Sequence, residues 1–583
     1  MKTSLNTLSK AVTFALTVTS LGFAASASAV YTPNLSTPVP NSPAPKAVDC
    51  SPSATAKTWE VGTNQAYPTL GDVDWNHLKA GDVVRVHWRA APYAEKILLS
   101  ASGTAAKPIK LCGVPGGPHD GDKLLPTITG ENAVTRADLA YQNDDSGNYD
   151  ADGVFTLEHY GLITIQHKTF ELKPKNIIIE GLHLTGANQF TSFTAANGKL
   201  GKHDRFTACI RLQKGDNVTI RGNEIENCGH AVFALSRDNE PQTSRNLLLE
   251  SNYIHGNGAI AAADGSDTSP ESVHSMYIQT IGMTAQFNYF GPNRAGAPGG
   301  IFKDRSVGSV VRYNWFSEGA RILDFVEPQS YNTSFLLKDY DAFVAQYGTK
   351  DMPTRAAVAK AYKQFQKTYV YGNFIRNDVK AGGQGAYAPV HFGGDEGKAH
   401  NKRVRQGRLY FFNNTVLTIA DYADSSRLNV FDMGYGSLDT TPATKIESFN
   451  NIIHLQSRHS DAPRPDYYVT RHDFENINLG KNWLTSDAQL QGSDAAEIAG
   501  LAGTGVIDGV ANLTGGSFSP VNTDTLISAA GNAALLNAGQ ALPAELAGLT
   551  LEYQFQANHA NPLLSKILLR STPNDLGAAA VAP

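Results

Sequence analysis

Short apolar runs bounded by Gly, Pro, Asn and Asp recur along the chain, and most of them end in a step that contains asparagine. This punctuation predicts short strands separated by turns. From residue 177 onward the unit occurs as NIIIEGLHL, NVTIRGNEI, NLLLESNYI, MTAQFNYF, SVVRYNWF, TYVYGNFI, RLYFFNNTV and IESFNNII. The aligned asparagines are Asn223, Asn252, Asn288, Asn314, Asn373, Asn414 and Asn451.

The spacing of these asparagines indicates the repeat architecture. Successive intervals are 29, 36, 26, 59, 41 and 37 residues, which fits solenoid turns with variable loops and one long insertion. A propeller would show a fixed blade length, so the fold prediction is all-β, a single-stranded right-handed parallel β-helix with a helical insertion and capped ends. We expect the asparagines to adopt left-handed backbone angles at strand corners and to hydrogen-bond one above another as a ladder.

The chain divides into a leader, a linker and one long domain. Residues 1–29 have a basic start, a short apolar run and a small-residue cleavage site, the pattern of a secretory signal peptide. Residues 30–56 are rich in Pro, Ser and Thr, which predicts an extended linker or stalk. The β-helix is predicted for 57–583, with a helical insertion at 334–367 and C-terminal rungs and a cap at 485–583.

Composition and charge narrow the class of protein. The 583 residues are 41% hydrophobic and 18% charged, below the roughly 25% charge of an average soluble domain. The net charge of −5 offers no footprint for nucleic acid or for an acidic membrane surface. No apolar run is long enough to span a membrane. We expect a secreted or periplasmic monomer, with signal cleavage after Ala29.

Four cysteines are present, at Cys50, Cys112, Cys209 and Cys228. They lack the spacing of a metal site. Cys209 and Cys228 lie 19 residues apart, close to one solenoid turn, so they could stack and pair. Two disulfides in an oxidising compartment and four buried thiols both remain open.

The segment 274–327 carries more charge than a strand array needs for its own stability. Its charged and titratable members include His274, Lys303, Asp304, Arg305, Arg312, Arg321, Asp324 and Glu327. We therefore interpret one broad face of the solenoid as a polysaccharide site. A second cluster, VHFGGDEG at 390–397, contributes His391 and Asp395. We expect it about four rungs further along, so that a loop would have to bring it back.

The N-terminal pattern AGDVVRVHWRAAPY…ILLSASGTAAKPIKLCGV…LPTITG resembles the opening turns of secreted right-handed β-helix polysaccharide lyases, in particular the alginate lyase and chondroitinase-B-type group. In that group a Lys on one rung is followed by an Asn-containing step, a Gly, and an Arg on the next rung. The segment FKDRSVGSVVRYNWFSEGARILDF offers Lys303, Asn314 and Gly319 in matching places. Asp324 stands where that group has its Arg, and Arg321 is the nearest alternative.

Strand alternation leaves two arrangements open around Asp324. With Leu323 and Phe325 inward, Asp324 points outward, and Arg321 then points inward. The opposite parity places Arg321 and Glu327 on the outside. The sequence is compatible with both.

The resemblance implies β-elimination on an acidic, uronate-containing polysaccharide, in which a base removes the proton next to the carboxylate and a cation or metal stabilises the enolate. The candidate catalytic residues are Lys303 and Arg321. The candidates for substrate binding are His274, Tyr277, Arg305 and His391. The candidate metal ligands are Asp324, Glu327 and Asp395, whose oxygens suit Ca²⁺. Bound calcium would replace the missing Arg.

Two other function classes stay open beside the lyase. A pair of carboxylates across a cleft could hydrolyse a glycosidic bond. The solenoid could also be a non-catalytic glycan-binding or adhesive protein, for which the Pro-rich stalk is mild support. The structural alternatives are a solvated surface charge for Lys303, salt bridges for Arg305, Arg321 and the acids at 324 and 327, and packing at rung edges for His274 and Tyr277. The cluster at 390–397 could instead be a tight turn.

Overall fold

The computed structural model describes a large part of the chain. The described residues are 44–139, 150, 153–154, 156–169, 171–236, 242–261, 269–319, 321–327, 367–379, 388–395, 405, 407–420, 428–434, 444–457, 467–470, 476–485, 488, 507–508, 520–528, 532, 534–546 and 549–581. The predicted signal peptide at 1–29 and residues 334–366 of the predicted helical insertion lie outside them.

Three long parallel sheets build the domain. Sheet 1 contains Thr58–Val61, Val83–His87, Ile109–Val114, Lys175–Glu180, Asp216–Arg221, Arg245–Glu250, Ile281–Gln286, Val307–Arg312, Lys367–Tyr371, Gly407–Phe412, Thr444–Phe449 and Ile477–Leu479. Sheet 2 contains Ile97–Leu99, Gly161–Ile165, Ala208–Leu212, His230–Ala234, Met276–Ile278, Phe302–Asp304, Leu323–Phe325, Val390–Gly394, Leu428–Gly434 and Tyr467–Thr470. Sheet 3 contains Thr127–Thr129, His183–Thr185, Glu224–Glu226, Tyr253–His255, Tyr289–Phe290, Trp315–Ser317, Phe374–Val379, Thr415–Ala420, Ile452–Ser457, Trp483–Leu484 and Ile507–Asp508.

The smaller elements lie beside these sheets. A three-stranded side sheet consists of Ala133–Val134, Ser192–Thr194 and Leu200–Lys202, and an antiparallel hairpin consists of Tyr553–Gln556 and Lys566–Leu569. The 3-10 helices are Leu70–Asp72, Trp75–His77, Thr156–Tyr160, Pro270–Ser272, Ala544–Leu546 and Pro562–Leu564. The described residues contain no α-helix.

Aliphatic side chains at alternate strand positions form the interior. In sheet 1, for example, Ile177, Val218, Leu247 and Met283 occupy one register position on successive strands, and all are buried. Successive side chains of a strand point to opposite faces, so each coil buries one apolar row against the rows above and below it. The prediction of an all-β parallel β-helix is confirmed.

The asparagine ladder is also present. Each side-chain amide donates to the side-chain oxygen of the next asparagine at 2.8–3.1 Å. The ladder runs through Asn223, Asn252, Asn288, Asn314, Asn373, Asn414, Asn451 and Asn482. It extends one asparagine beyond the seven that the sequence repeat identified, and it satisfies buried polar groups by repeating one bond.

The prediction that the ladder asparagines themselves adopt left-handed backbone angles is wrong. The residue before the ladder asparagine, not the asparagine itself, takes the positive φ. These corner residues include Ser251, Phe287, Tyr313, Asn413 and Asn450, with φ between 49° and 58°. The corner needs one left-handed residue, and the amide of the residue that follows it then bonds along the stack.

Both ends of the described chain pack against the outside of the helix. Cys50 forms a disulfide with Cys112 on sheet 1, and Lys110 donates to Asp49 at 2.7 Å, so this part of the predicted linker is fixed to the wall. Residues 549–581 cover outward-facing aromatic side chains, including Tyr313 and Trp315, in a second apolar cluster. The C-terminal segment therefore covers the side of the domain.

The second disulfide joins Cys209 and Cys228, with Cα atoms 5.8 Å apart, so both disulfides left open by the sequence are formed. Two disulfides indicate an extracytoplasmic protein. In the part of the chain that the structure describes, no helix has the length and apolar character needed to cross a membrane.

Candidate functional site

A row of outward-facing side chains runs along sheet 2, one from each of seven successive strands. Strand pairing places them in the order Arg211, Phe233, Tyr277, Lys303, Asp324, His391 and Asp432. Their strand neighbours, such as Leu323 and Phe325, are buried in the apolar core. Adjacent strands are about 4.8 Å apart, so neighbours in the row are close enough to bond.

Lys303 lies at the centre of a buried ionic cluster. Its Nζ is 2.8 Å from Oδ2 of Asp324 on the next strand and 2.8 Å from Oδ2 of Asp395. The two carboxylate oxygens are therefore no more than 5.6 Å apart. Asp395 is the most exposed member of this group, with a third of its side-chain surface accessible.

The second polar cluster is closer than the sequence suggested. The strand that carries His391 pairs directly with the strand that carries Asp324, so the expected separation of about four rungs is wrong. Between residues 328 and 389 the described residues contribute only the strands Lys367–Tyr371 and Phe374–Val379. One coil therefore separates the two clusters, and no returning loop is needed to unite them.

Arg305 and Glu327 flank the cluster on the side where the chain leaves sheet 2. Arg305 donates to the backbone oxygen of Glu327 at 2.6 Å and to Oδ2 of Asp395 at 2.9 Å. The Glu327 carboxylate accepts the backbone N–H of Asp395 at 3.0 Å and lies 3.6 Å from the Arg305 guanidinium. Both residues are almost fully buried, so they hold Asp395 in place from behind.

His391 is bonded through one ring nitrogen and not through the other. Its Nδ1 lies 2.6 Å from Oδ1 of Asp324, while its buried Nε2 has no hydrogen-bond partner among the residues that the structure describes. Because a carboxylate accepts hydrogen bonds, we assign the ring proton of the neutral imidazole to Nδ1. The lone pair on Nε2 is then available to accept a proton.

Arg321 lies on the same outer face as Asp324, which neither of the two parity arrangements allowed for this pair. The strand begins at Leu323, so the alternation does not extend back to Arg321. Its guanidinium lies 3.4 Å from Nδ1 of His391, 3.6 Å from Asp324 and 3.7 Å from Asp432. Its side chain is 22% exposed, and these distances are longer than those of strong charged hydrogen bonds.

The pKa of Lys303 is raised. Burial alone would lower this pKa, but the carboxylates of Asp324 and Asp395 outweigh burial and raise it above the ordinary lysine value. This shift favours the charged ammonium group. The arrangement therefore suits Lys303 better as a fixed cation than as the proton acceptor that elimination requires.

The three carboxyl groups of the cluster differ in their pKa values. Burial opposes ionisation of Asp324, but Lys303 and the bond from His391 hold its pKa well below the usual range. The pKa of Asp395 is also lowered, because Lys303 and Arg305 overcome its burial. Burial raises the pKa of Glu327 despite the nearby Arg305. Two adjacent carboxyl groups, Asp395 and Glu327, are therefore shifted in opposite directions.

His274 and Tyr277 lie one rung before Lys303. Nδ1 of His274 accepts the backbone N–H of Gly300 at 2.9 Å, and burial together with Lys303 keeps its pKa well below the usual value. Tyr277 is half-buried, and its ring lies 5.7 Å from the Arg305 guanidinium. His274 supports a loop, whereas Tyr277 reaches the surface of the site.

Asp304 does not belong to the outer face. It is fully buried, accepts a hydrogen bond from Ser309 at 2.5 Å, and lies 3.5 Å from the guanidinium of Arg405. Arg405 belongs to the basic run 400–408 and is itself fully buried, so this member of the run is an interior ion-pair partner.

The predicted calcium ligands do not fit a cation. Asp324 uses one oxygen for Lys303 and the other for His391. Oδ2 of Asp395 is shared by Lys303 and Arg305. A calcium ion placed among these acids would stand against two fixed positive charges. Within the described ranges no group of three or more acidic, His or Cys side chains is arranged to hold a metal.

Sequence reasoning missed three residues of this face, Arg211, Phe233 and Asp432, and also His230, which is buried behind it. The alternating run HAVFA at 230–234 signals a strand with one outward side chain, but its register with the charged strands is not encoded locally. Asp432 follows His391 in the row through strand pairing alone.

No protein-family model and no curated protein matches the chain. Similar solved structures include the alginate lyase from Paenibacillus sp. str. FPU-7, with 14% identity, a TM-score of 0.32, and coverage of 70% of this chain and 95% of that one. Pectate lyase Pel9A has 10% identity, a TM-score of 0.39, and coverage of 92% and 100%. PfbA, a surface adhesin of Streptococcus pneumoniae, has 12% identity, a TM-score of 0.34, and coverage of 70% and 80%. These similarities concern the right-handed parallel β-helix fold, so function has to be argued from the site residues.

Proposed function

We propose that this chain is an exported carbohydrate-active enzyme that cleaves an acidic, uronate-containing polysaccharide by β-elimination on the outer face of sheet 2. The proposal rests on His391, whose Nδ1 is bonded to Asp324 while its Nε2 has no partner within the described part of the chain. A carboxylate that fixes the tautomer of an imidazole and leaves the other nitrogen free is the arrangement of a general base.

The surrounding cations suit the substrate of such a reaction. Removal of the proton next to a uronate carboxylate builds negative charge on that carboxylate, and a positive group beside it lowers the barrier. Lys303 and Arg305 are permanently charged and fixed. In this proposal they stabilise the enolate while the carbon–carbon double bond forms and the bond to the leaving oxygen breaks, and that oxygen takes up the proton that His391 removed.

Arg321 is the group proposed to bind the substrate carboxylate. It is a partly exposed cation beside the cluster, with 22% of its side chain accessible, and its distances to His391, Asp324 and Asp432 are 3.4–3.7 Å. The guanidinium fork matches both oxygens of a carboxylate, so a uronate can compete for it. Movement of Arg321 towards the substrate would also uncover the His391 ring that it contacts.

The test is a panel of uronate polymers incubated with the purified chain. We expect unsaturated uronate, read by its ultraviolet absorbance, to appear in step with new reducing ends. His391→Gln removes the basic nitrogen and should lower the rate by about 10²- to 10⁴-fold. The matched control His255→Gln changes a histidine of sheet 3, which bonds Glu224, and should leave the rate unchanged. Full activity of the His391→Gln variant would remove this residue from the mechanism.

Hydrolysis of a glycosidic bond is the second candidate, and one observation favours it. The pKa values of the adjacent carboxyl groups of Asp395 and Glu327 are pushed in opposite directions, which is how an ionised nucleophile and a protonated acid are separated. In that case the same panel yields reducing ends without unsaturated product. Asp395→Asn would then lower the rate more than His391→Gln does.

The proposed setting follows from the disulfides. A chain with two disulfides folds and persists in an oxidising compartment, where acidic polysaccharides of the cell surface and its surroundings are accessible. We propose that the protein acts there as a secreted or periplasmic monomer.

A further inference from the structure

We infer that the outer face on the N-terminal side of Lys303 binds further sugar units of the same acidic polymer. This aromatic strip consists of Tyr160, Arg211, Phe233 and Tyr277. The inference rests on the proposed function and extends it. It predicts that longer uronate oligosaccharides bind more tightly, and it names the residues that cause this preference.

The strip is a continuous series of contacts along neighbouring rungs. The rings of Phe233 and Tyr277 stack with centroids 5.3 Å apart and planes 20° apart. The Arg211 guanidinium lies 4.5 Å from the Phe233 ring and 5.1 Å from that of Tyr160. At the other end, Tyr277 faces Arg305. Rings and cations therefore continue from the ionic cluster without a gap.

The strip is accessible but firmly supported. Tyr160, Phe233 and Tyr277 are half-buried, whereas Arg211 is 8% exposed and donates to Gln213 at 2.9 Å. Fully buried His230 packs behind them, with ring centroids 5.5 Å from Phe233 and 6.0 Å from Tyr277. The rings thus present part of their surface while their positions are fixed.

Two outward-facing aromatic side chains elsewhere on this helix are covered. Tyr313 and Trp315 project from the wall and are buried beneath the C-terminal segment. Phe233 and Tyr277 belong to none of the apolar clusters of the described residues. Contiguous aromatic surface left open beside a polar site is typical of a ligand-binding surface.

A uronate chain has the chemistry that this surface recognises. One face of a sugar ring carries C–H groups, which pack on an aromatic ring. The rings of the strip repeat at the rung spacing of about 4.8 Å, so one sugar can follow another along the helix axis. Arg211 supplies a positive charge three rungs from Lys303, where a carboxylate beyond the cleaved sugar can pair with it.

Calorimetric binding of a size series of uronate oligosaccharides to the full chain tests the inference. The His391→Gln background prevents cleavage during titration. Phe233→Leu removes the ring but keeps apolar bulk, and should weaken binding of long oligosaccharides by about threefold to tenfold. Arg211→Gln should weaken it by about tenfold or more. Both losses should grow with chain length. Tyr253→Ala, a half-buried ring on sheet 3, is the matched control.

The outcomes separate this inference from the proposed function. Losses that do not depend on chain length, or no losses at all, overturn the strip while leaving elimination standing. Length-dependent losses in a chain whose wild type releases no unsaturated uronate support the strip and overturn elimination. Wild-type chain that binds no uronate oligosaccharide of any length overturns both. Equal unfolding midpoints of the variants in urea exclude misfolding as the cause.

Discussion

Two arrays of stacked side chains run along the same β-helix and are built differently. The asparagine ladder repeats one residue type and one hydrogen bond from Asn223 to Asn482. The row on sheet 2 places a guanidinium, two aromatic rings, an ammonium, a carboxylate, an imidazole and a second carboxylate on successive rungs.

The difference separates scaffold from site. In the ladder each side-chain amide both donates to and accepts from its neighbours, so the same hydrogen bonds satisfy the buried polar groups of every rung. In the row on sheet 2 each member is specific to its position, and Nε2 of His391 has no partner in the described ranges. Buried unlike charges cost stability relative to apolar packing, so their presence at one place indicates a task other than folding.

The largest expected effect is on the scaffold. Asn314→Leu leaves the N–H of Asn288 and the carbonyl of Ala285 without their buried partners. At about 1–3 kcal/mol for each unsatisfied group, the free energy of unfolding should fall by about 2–6 kcal/mol. Urea unfolding measures this loss, and the rate per folded molecule should not change. Asn478→Leu, at an exposed position, is the control. A ladder variant that remained as stable as the wild type would contradict the structural role.

The next effect is expected in the ionic cluster, where stability and activity should change together. Lys303→Met leaves the carboxylates of Asp324 and Asp395 facing each other without their shared cation. The loss should be about 3–5 kcal/mol. Adding Asp395→Asn removes one of the two charges and should restore part of the stability but not the activity. A double variant no more stable than Lys303→Met would show that charge repulsion is not the cause.

A smaller effect concerns pH and the support behind the aromatic strip. Burial lowers the pKa of His230 to about 4 from its ordinary 6.5. Between these two pH values the unfolded chain binds a proton at this residue and the folded protein does not. Stability is therefore lost as pH falls from about 6.5 to about 4, by about 3 kcal/mol from this residue. Urea midpoints at about pH 7 and pH 4 should differ less for His230→Gln than for the wild type. Equal differences would assign the pH dependence to other groups.

Much of the scaffold could be predicted because it repeats. Seven asparagines in similar contexts specify the fold and the ladder at once, since each copy confirms the others. The error of one position in the left-handed corner arose because Asn is a frequent left-handed residue. The true corner positions are less uniform in type and include Phe287 and Tyr313.

The site could be predicted only as a set of residues, because its geometry depends on register. His391 was expected about four rungs away and is on the next strand from Asp324. The orientation of Arg321 is predicted from strand alternation, but the strand begins only at Leu323, after Arg321. Neither the partners of a residue in the neighbouring coil nor the first residue of a short strand is fixed by local pattern.

The smallest expected effect is that of a chelator, and it tests the assignment of charge in the site. If Lys303 and Arg305 already neutralise Asp324 and Asp395, a calcium ion beside these acids would face two fixed positive charges. Chelation should then change neither Tm nor the rate on uronate polymers. The control is the same chelator saturated with calcium. A loss of activity that added calcium restores would show that metal binds at the site, and that the cation cluster rearranges when it does.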